Sequence, residues 1–141
     1  MVSQYDRAFG SPRQFIGPQE PIAISFIDRT SPITKGMADW TTIKEELYNN
    51  VRVFDTAQPL ARGKQAVKQK DGSEKANTFV VVWANKYGPK KTRIFSTTIG
   101  HNTATVKDPR YLDLVARGAL WATGHLNDDG SPAEGYGPQG K

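Results

Sequence analysis

The chain has 141 residues, enough for one modest domain and too few for two. It contains no cysteine, which excludes disulfides, thiolate metal sites and a cysteine nucleophile within these residues. The formal charge is +5, from 19 Lys and Arg against 14 Asp and Glu, and no apolar run approaches the roughly 20 residues needed to cross a bilayer.

Residues 1–19 are polar and broken by Gly10, Pro12, Gly17 and Pro18, so they read as an irregular, disordered lead-in. Asp6, Arg7 and Arg13 deny this stretch the apolar segment of a signal peptide, and the chain reads as a soluble protein of the cytoplasm or periplasm. Pro21 to Ile27 is apolar at nearly every position, as in a strand covered on both faces. Ser31-Pro32-Ile33-Thr34-Lys35-Gly36 predicts a turn, with proline fixing one dihedral and Gly36 free to take a positive φ. Asp39 to Asn50 fits either a helix capped by Asp39 or Thr41, or a short strand ending at Asn49-Asn50. Val51 to Phe54 reads as a brief strand.

Residues 57–76, with Pro59, Gly63, Gly72 and many lysines, read as an exposed loop or a ragged hairpin turning at Lys70-Asp71-Gly72-Ser73. Thr78 to Ala84 is a β-branched and aromatic run, the firmest strand signal in the chain, and Thr92 to Ile99 is its expected partner. A helix follows, with Asp108 as cap and Pro109 at its first position. Its apolar stripe runs through Leu112, Val115, Ala119 and Ala122, widened by Tyr111, Leu114, Leu120 and Trp121, and Gly124 stops it. Residues 127–141 are rich in Gly, Pro and Asp and read as a flexible, disordered tail. The tryptophans Trp40, Trp83 and Trp121 are most simply core or interface residues.

Charge is unevenly spread. Between Arg62 and Arg93 nine Lys and Arg face only Asp71 and Glu74. Such a cluster can bind a polyanion by releasing counterions. It equally describes a solvated loop flanked by strand-capping charges, and no recognised nucleic-acid-binding pattern accompanies it, so nucleic acid is disfavoured.

Three segments in register carry a family resemblance. Ser31 to Gly36 followed by Glu45-Glu46-Leu47-Tyr48, then Lys86-Tyr87-Gly88 with Arg93-Ile94-Phe95 and Thr97-Thr98-Ile99-Gly100-His101, then Asp108-Pro109-Arg110-Tyr111 with Arg117, Gly118 and Trp121, resemble the ThuA-like, or trehalose-utilisation, pattern over residues 20–126. The resemblance implies an α/β domain: the C-terminal part of a flavodoxin-like, class I glutamine amidotransferase-like three-layer fold. The family's preceding βαβ region has no counterpart here, so the chain is expected to be a fragment or a reduced relative. A homo-oligomer or partner chain is then expected to cover the open sheet edge.

By the same resemblance His101 occupies the position of the amidotransferase catalytic histidine. Those enzymes continue His-Pro-Glu, whereas this chain continues with Asn102 and Thr103, so the orienting carboxylate is missing locally and a Cys-His-Glu triad is excluded. What remains is a polar group of His101 and Glu46 as candidate catalytic residues, with Asn102, Tyr48 and Glu45 as candidate substrate-binding residues. An imidazole with an ordinary pKa of about 6.5 exchanges protons near neutrality, and a neighbouring carboxylate holds its tautomer. Such a pair could abstract a proton from a keto-sugar or bind a divalent metal; a hydrogen-bonded structural histidine beside surface glutamates is the plainer alternative. The expected ligand is a sugar-like small molecule such as a keto-disaccharide. The rival readings are a non-catalytic interaction subunit and polyanion binding through residues 62–93.

Overall fold

The computed structural model describes residues 18–49 and 51–138. Five strands form one sheet: β1 (Gln19–Phe26), β2 (Trp40–Glu46), β3 (Ala57–Lys68), β4 (Glu74–Tyr87) and β5 (Thr92–Thr97). Their order is β2-β1-β3-β4-β5, and every pairing is antiparallel. A short helix α1 (Thr103–Val106) and a longer α2 (Pro109–Thr123) follow β5. The domain is thus a sheet-dominated α/β structure. The parallel, three-layer arrangement implied by the resemblance is not formed by these residues.

The strand in β1 corrects the expectation of two covered faces. Ile22, Ile24 and Phe26 are buried while Ala23 and Ser25 alternate outward, the pattern of a sheet with one face on the core. Each buried aliphatic side chain of this kind contributes roughly 1.5–3 kcal/mol. They pack with Leu60, Val81, Val82 and Leu114 in one core. Gly63 of β3 lies directly against it. A Cβ there would sit 2.7 Å from Ile22 Cγ2 and 2.9 Å from Val81 Cγ1, so only glycine lets these side chains close over the strand.

Of the two readings for residues 39–50 the strand is the one that forms. The β-branched Thr41, Thr42 and Ile43 suit a pleated edge, and pairing with β1 settles the choice. Val51–Phe54, by contrast, forms no strand. Of the two readings for the lysine-rich segment the hairpin is the one that forms, with β3 and β4 paired from Ala57↔Asn85 to Lys68↔Glu74 and register shifts near residues 59–62. It turns at the anticipated residues: Gly72 has φ +84° and Asp71 receives the Ser73 N–H and hydroxyl.

Helix α2 begins and ends as expected, with Asp108 accepting from Arg110 N and Gly124 in the left-handed conformation. Its inward face is rotated from the expected stripe. Leu114 and Gly118 are buried and Tyr111 and Trp121 partly so, whereas Leu112 is exposed. The cause is Phe95 of β5, whose ring presses on the bare Cα of Gly118 and fixes which face turns in. Arg93 of β5 lies over the Trp121 ring and donates to its carbonyl, closing the same contact.

Residues 1–17 of the expected lead-in and 139–141 of the expected tail lie outside the described residues. Residues 127–138 carry turns, a bridge from Leu126 to Pro132, and a Tyr136 ring stacked 3.7 Å from that of His125.

Candidate functional site

The site begins with an irregularity in β2. Against β1, Pro21 faces Lys44 and Ala23 faces Thr41, so Thr42 and Ile43 together oppose Ile22. This is a β-bulge, and Ile22 N satisfies itself on the Thr42 hydroxyl at 2.9 Å. The extra residue shifts the inward phase of the strand. Trp40 and Thr42 point in before the bulge, and Glu45 points in after it. A carboxylate is thereby delivered into the core side of the sheet.

Glu45 is fully buried, and its two oxygens are taken by backbone donors. Oε1 accepts from Asn102 N at 2.9 Å; Oε2 accepts from His101 N at 3.3 Å and from Glu46 N at 3.2 Å. It therefore clamps the turn after β5 onto the end of β2. Gln65 of β3 braces the clamp from below, donating to the carbonyls of both Glu20 and Glu45. Gly100 makes the turn possible: its φ is +118°, and a Cβ would overlap the Tyr111 hydroxyl. Glu45, expected among the substrate-binding residues, is 0% exposed, with both oxygens engaged by backbone donors.

Glu46 is 5% exposed, and its carboxylate gathers the remaining side chains. Its Oε2 lies 3.5 Å from His101 Nδ1 and accepts the Tyr48 hydroxyl at 3.3 Å, while Oε1 accepts from Gln19 Nε2 at 3.3 Å. The same Gln19 nitrogen lies 3.3 Å from His101 Nε2. A carboxylate beside the imidazole, absent from the residues after His101, comes instead from the end of β2, the strand at the opposite edge of the sheet from β5. The imidazole remains open, its side chain 43% exposed. Asn102 caps α1, its Oδ1 accepting from Ala104 N, and its carboxamide nitrogen makes no hydrogen bond among the described residues.

The local field is negative. Burial raises the Tyr48 phenol above its ordinary pKa, reinforced by the charge of Glu46, the hydrogen bond to it, and the charge of Glu45. Burial and then Glu45 do the same to Tyr111. Such a place favours groups that donate protons or hydrogen bonds. Tyr48 also forms one wall of a groove of about 380 Å³, with Arg62, Thr78 and Phe79 among the others. That volume falls within the range of small-molecule sites, about 300–1,000 Å³. Among the described residues, no group of three or more His, Cys, Asp or Glu side chains is placed to hold a metal ion. No helix among them is long and apolar enough to cross a membrane.

The five residues singled out from the sequence therefore meet at one corner: Glu46 joins His101 and Tyr48, and Glu45 accepts from the backbone of His101 and Asn102. Gln19 was missed. It opens β1, far from its partners in the chain, and only the register that sets it opposite Glu46 reveals it.

Comparison with known proteins places the chain in a family. The family model for ThuA, described as trehalose utilisation, matches residues 4–122, and the chain belongs to that family. Among solved structures, a ThuA-like protein from Parabacteroides merdae is similar at 28% identity and a TM-score of 0.60. The match covers 85% of this chain and 46% of that one, so the chain spans just under half of that protein's length. No curated protein matches.

Proposed function

We propose that this chain binds or transforms a sugar, such as a keto-disaccharide, at the corner where His101 meets Glu46. The observation that carries the reading is the exposed imidazole with its Nδ1 3.5 Å from a buried carboxylate. An imidazole so placed keeps its proton on Nδ1 and offers Nε2 as a base. On a keto-sugar, Nε2 takes a proton from the hydroxyl-bearing carbon beside the ketone and returns it to the former carbonyl carbon, while the hydroxyl proton passes to the ketone oxygen, which is isomerase-type chemistry. Glu46 orients the ring, Tyr48 and the free nitrogen of Asn102 hold sugar hydroxyls, and Glu45 positions the His101 backbone. The groove beyond Tyr48 receives the remainder of a disaccharide. Membership of a family described as trehalose utilisation supports a carbohydrate ligand. On this reading the flavodoxin-like parallel layers belong to the part of the ThuA fold that these residues do not form.

Calorimetric titration with trehalose and its keto derivative tests the proposal. His101→Ala should weaken binding several-fold, since a hydrogen bond between neutral groups is worth a net ~1 kcal/mol. Unchanged affinity with an intact fold rejects it.

An interaction subunit is the second reading, favoured by the apolar side chains Ile43, Phe54 and Leu112 left exposed on the surface. It requires a stable homo-oligomer or a partner chain over the sheet edge, so a well-behaved monomer in solution scattering counts against it.

A further inference from the structure

The hydrogens around His101 can be assigned by elimination. The Glu46 carboxylate only accepts, so the Gln19 atom facing its Oε1 at 3.3 Å is the carboxamide nitrogen, which only donates. That nitrogen carries two hydrogens. One goes to Glu46, and the other points at His101 Nε2, also 3.3 Å away. Nε2 must therefore be the accepting nitrogen, and the ring proton lies on Nδ1, facing Glu46 Oε2. The lone pair that the preceding reading assigns to base catalysis is covered by Gln19.

The two partners of the ring differ in how firmly they are held. Glu46 is buried and receives donors on both oxygens. Gln19 is the first residue of β1 and is exposed. Its displacement breaks two hydrogen bonds, and an incoming ligand replaces both.

We propose that the Gln19 carboxamide marks a subsite for a neutral vicinal diol, which displaces it by donating one hydroxyl to His101 Nε2 and the next to Glu46 Oε1. Two adjacent hydroxyls reproduce the two N–H bonds of the carboxamide, at the same two acceptors. An anionic group such as a phosphate or carboxylate cannot: it brings no donor to Nε2 and meets the charges of Glu46 and Glu45. The subsite rests on the reading of His101 as the functional base: the diol holds Nε2 in the resting complex and releases it before that nitrogen takes a proton, and the ligand is narrowed to sugars that present an uncharged diol here.

Three measurements on the full chain decide it. Nitrogen-15 NMR of the wild type at about pH 8, above the ordinary histidine range, should show His101 protonated at Nδ1; protonation at Nε2 overturns the proposal. Carbethoxylation by diethyl pyrocarbonate, followed residue by residue by mass spectrometry, should run several-fold faster at His101 in Gln19→Ala than in wild type. His125, the second histidine, serves as the internal standard. An unchanged rate overturns the cover. Finally, trehalose should protect His101 from the reagent and inorganic phosphate, an anion that carries no diol, should not. Equal protection by both removes the preference for a neutral diol and leaves the sugar reading standing. Protection by neither overturns the subsite and the sugar reading together.

Discussion

Two polar regions of the same sheet behave in opposite ways. The β3–β4 hairpin holds most of the chain's cationic excess, yet its lysines project into solvent and, among the described residues, form no ion pair. The corner at the end of β2 has only two carboxylates, but they are 0% and 5% exposed and every oxygen has a donor. Solvated charges interact weakly, because water and salt screen them. Buried charges must be satisfied at close range or they unfold the protein. The comparison teaches that the number of charges in a segment is a poor guide to where a protein concentrates electrostatic energy. Gln65 lies on the hairpin's own strand, yet its buried amide works for the corner.

The strongest way to break this contrast is to remove the clamp. Glu45→Ala would leave three backbone N–H groups without an acceptor, and should destabilise the fold by about 3 kcal/mol or more. Urea denaturation measures it. Glu45→Gln keeps one acceptor oxygen and should cost less. If Glu45→Ala unfolds no more readily than wild type, the corner is not the electrostatic centre of the domain.

A smaller effect separates the two regions by pH. The Tyr48 phenol is raised above its ordinary value of 10.0, by burial first and then by Glu46 and Glu45. A raised value means the folded state holds the proton more tightly than the unfolded chain. That stability is complete below the ordinary value and is lost as pH rises through the folded one. The Asp71 carboxyl of the hairpin turn is held below its ordinary 3.8 by the Ser73 hydroxyl and then by the Ser73 N–H. Its contribution is present above the ordinary value and is lost as pH falls through the folded one. The corner should therefore loosen in alkali and the turn in acid. Thermal unfolding midpoints from about pH 9 to 11 should fall less in Tyr48→Phe than in wild type; parallel curves would contradict the assignment.

Much of this was readable beforehand, and the remainder has physical reasons. The helix caps Asp108 and Gly124 and the turn at Asp71-Gly72 act through their nearest neighbours, so local residue chemistry identifies them. Glu45, Glu46, Tyr48, His101 and Asn102 were picked out by a family resemblance, and the structure does bring them together. Their roles were not readable. Which of two adjacent glutamates turns inward depends on a bulge set by pairing with β1. The third partner of the imidazole, Gln19, is 82 residues away from it in sequence. The lysine-rich segment read as either a loop or a ragged hairpin because lysine and glycine are poor strand formers, whereas its partner β4 is a strong one and imposes the pairing.

The smallest effect is expected where the charge is densest. Lys70 and Lys75 are both exposed, one in the hairpin turn and one just beyond it. Replacing both with glutamine removes two charges without touching the core or the corner, so stability should change by no more than ~0.5 kcal/mol. Affinity for trehalose should be unchanged, because a screened surface charge falls off within about 10 Å at ordinary salt. Titration of the double variant and wild type with heparin across a salt series completes the test. A steep salt dependence in wild type that flattens in the variant would make the hairpin a polyanion site. A flat response in both leaves it a solvated arm, and the buried pair at the β2 end as the charges on which the domain depends.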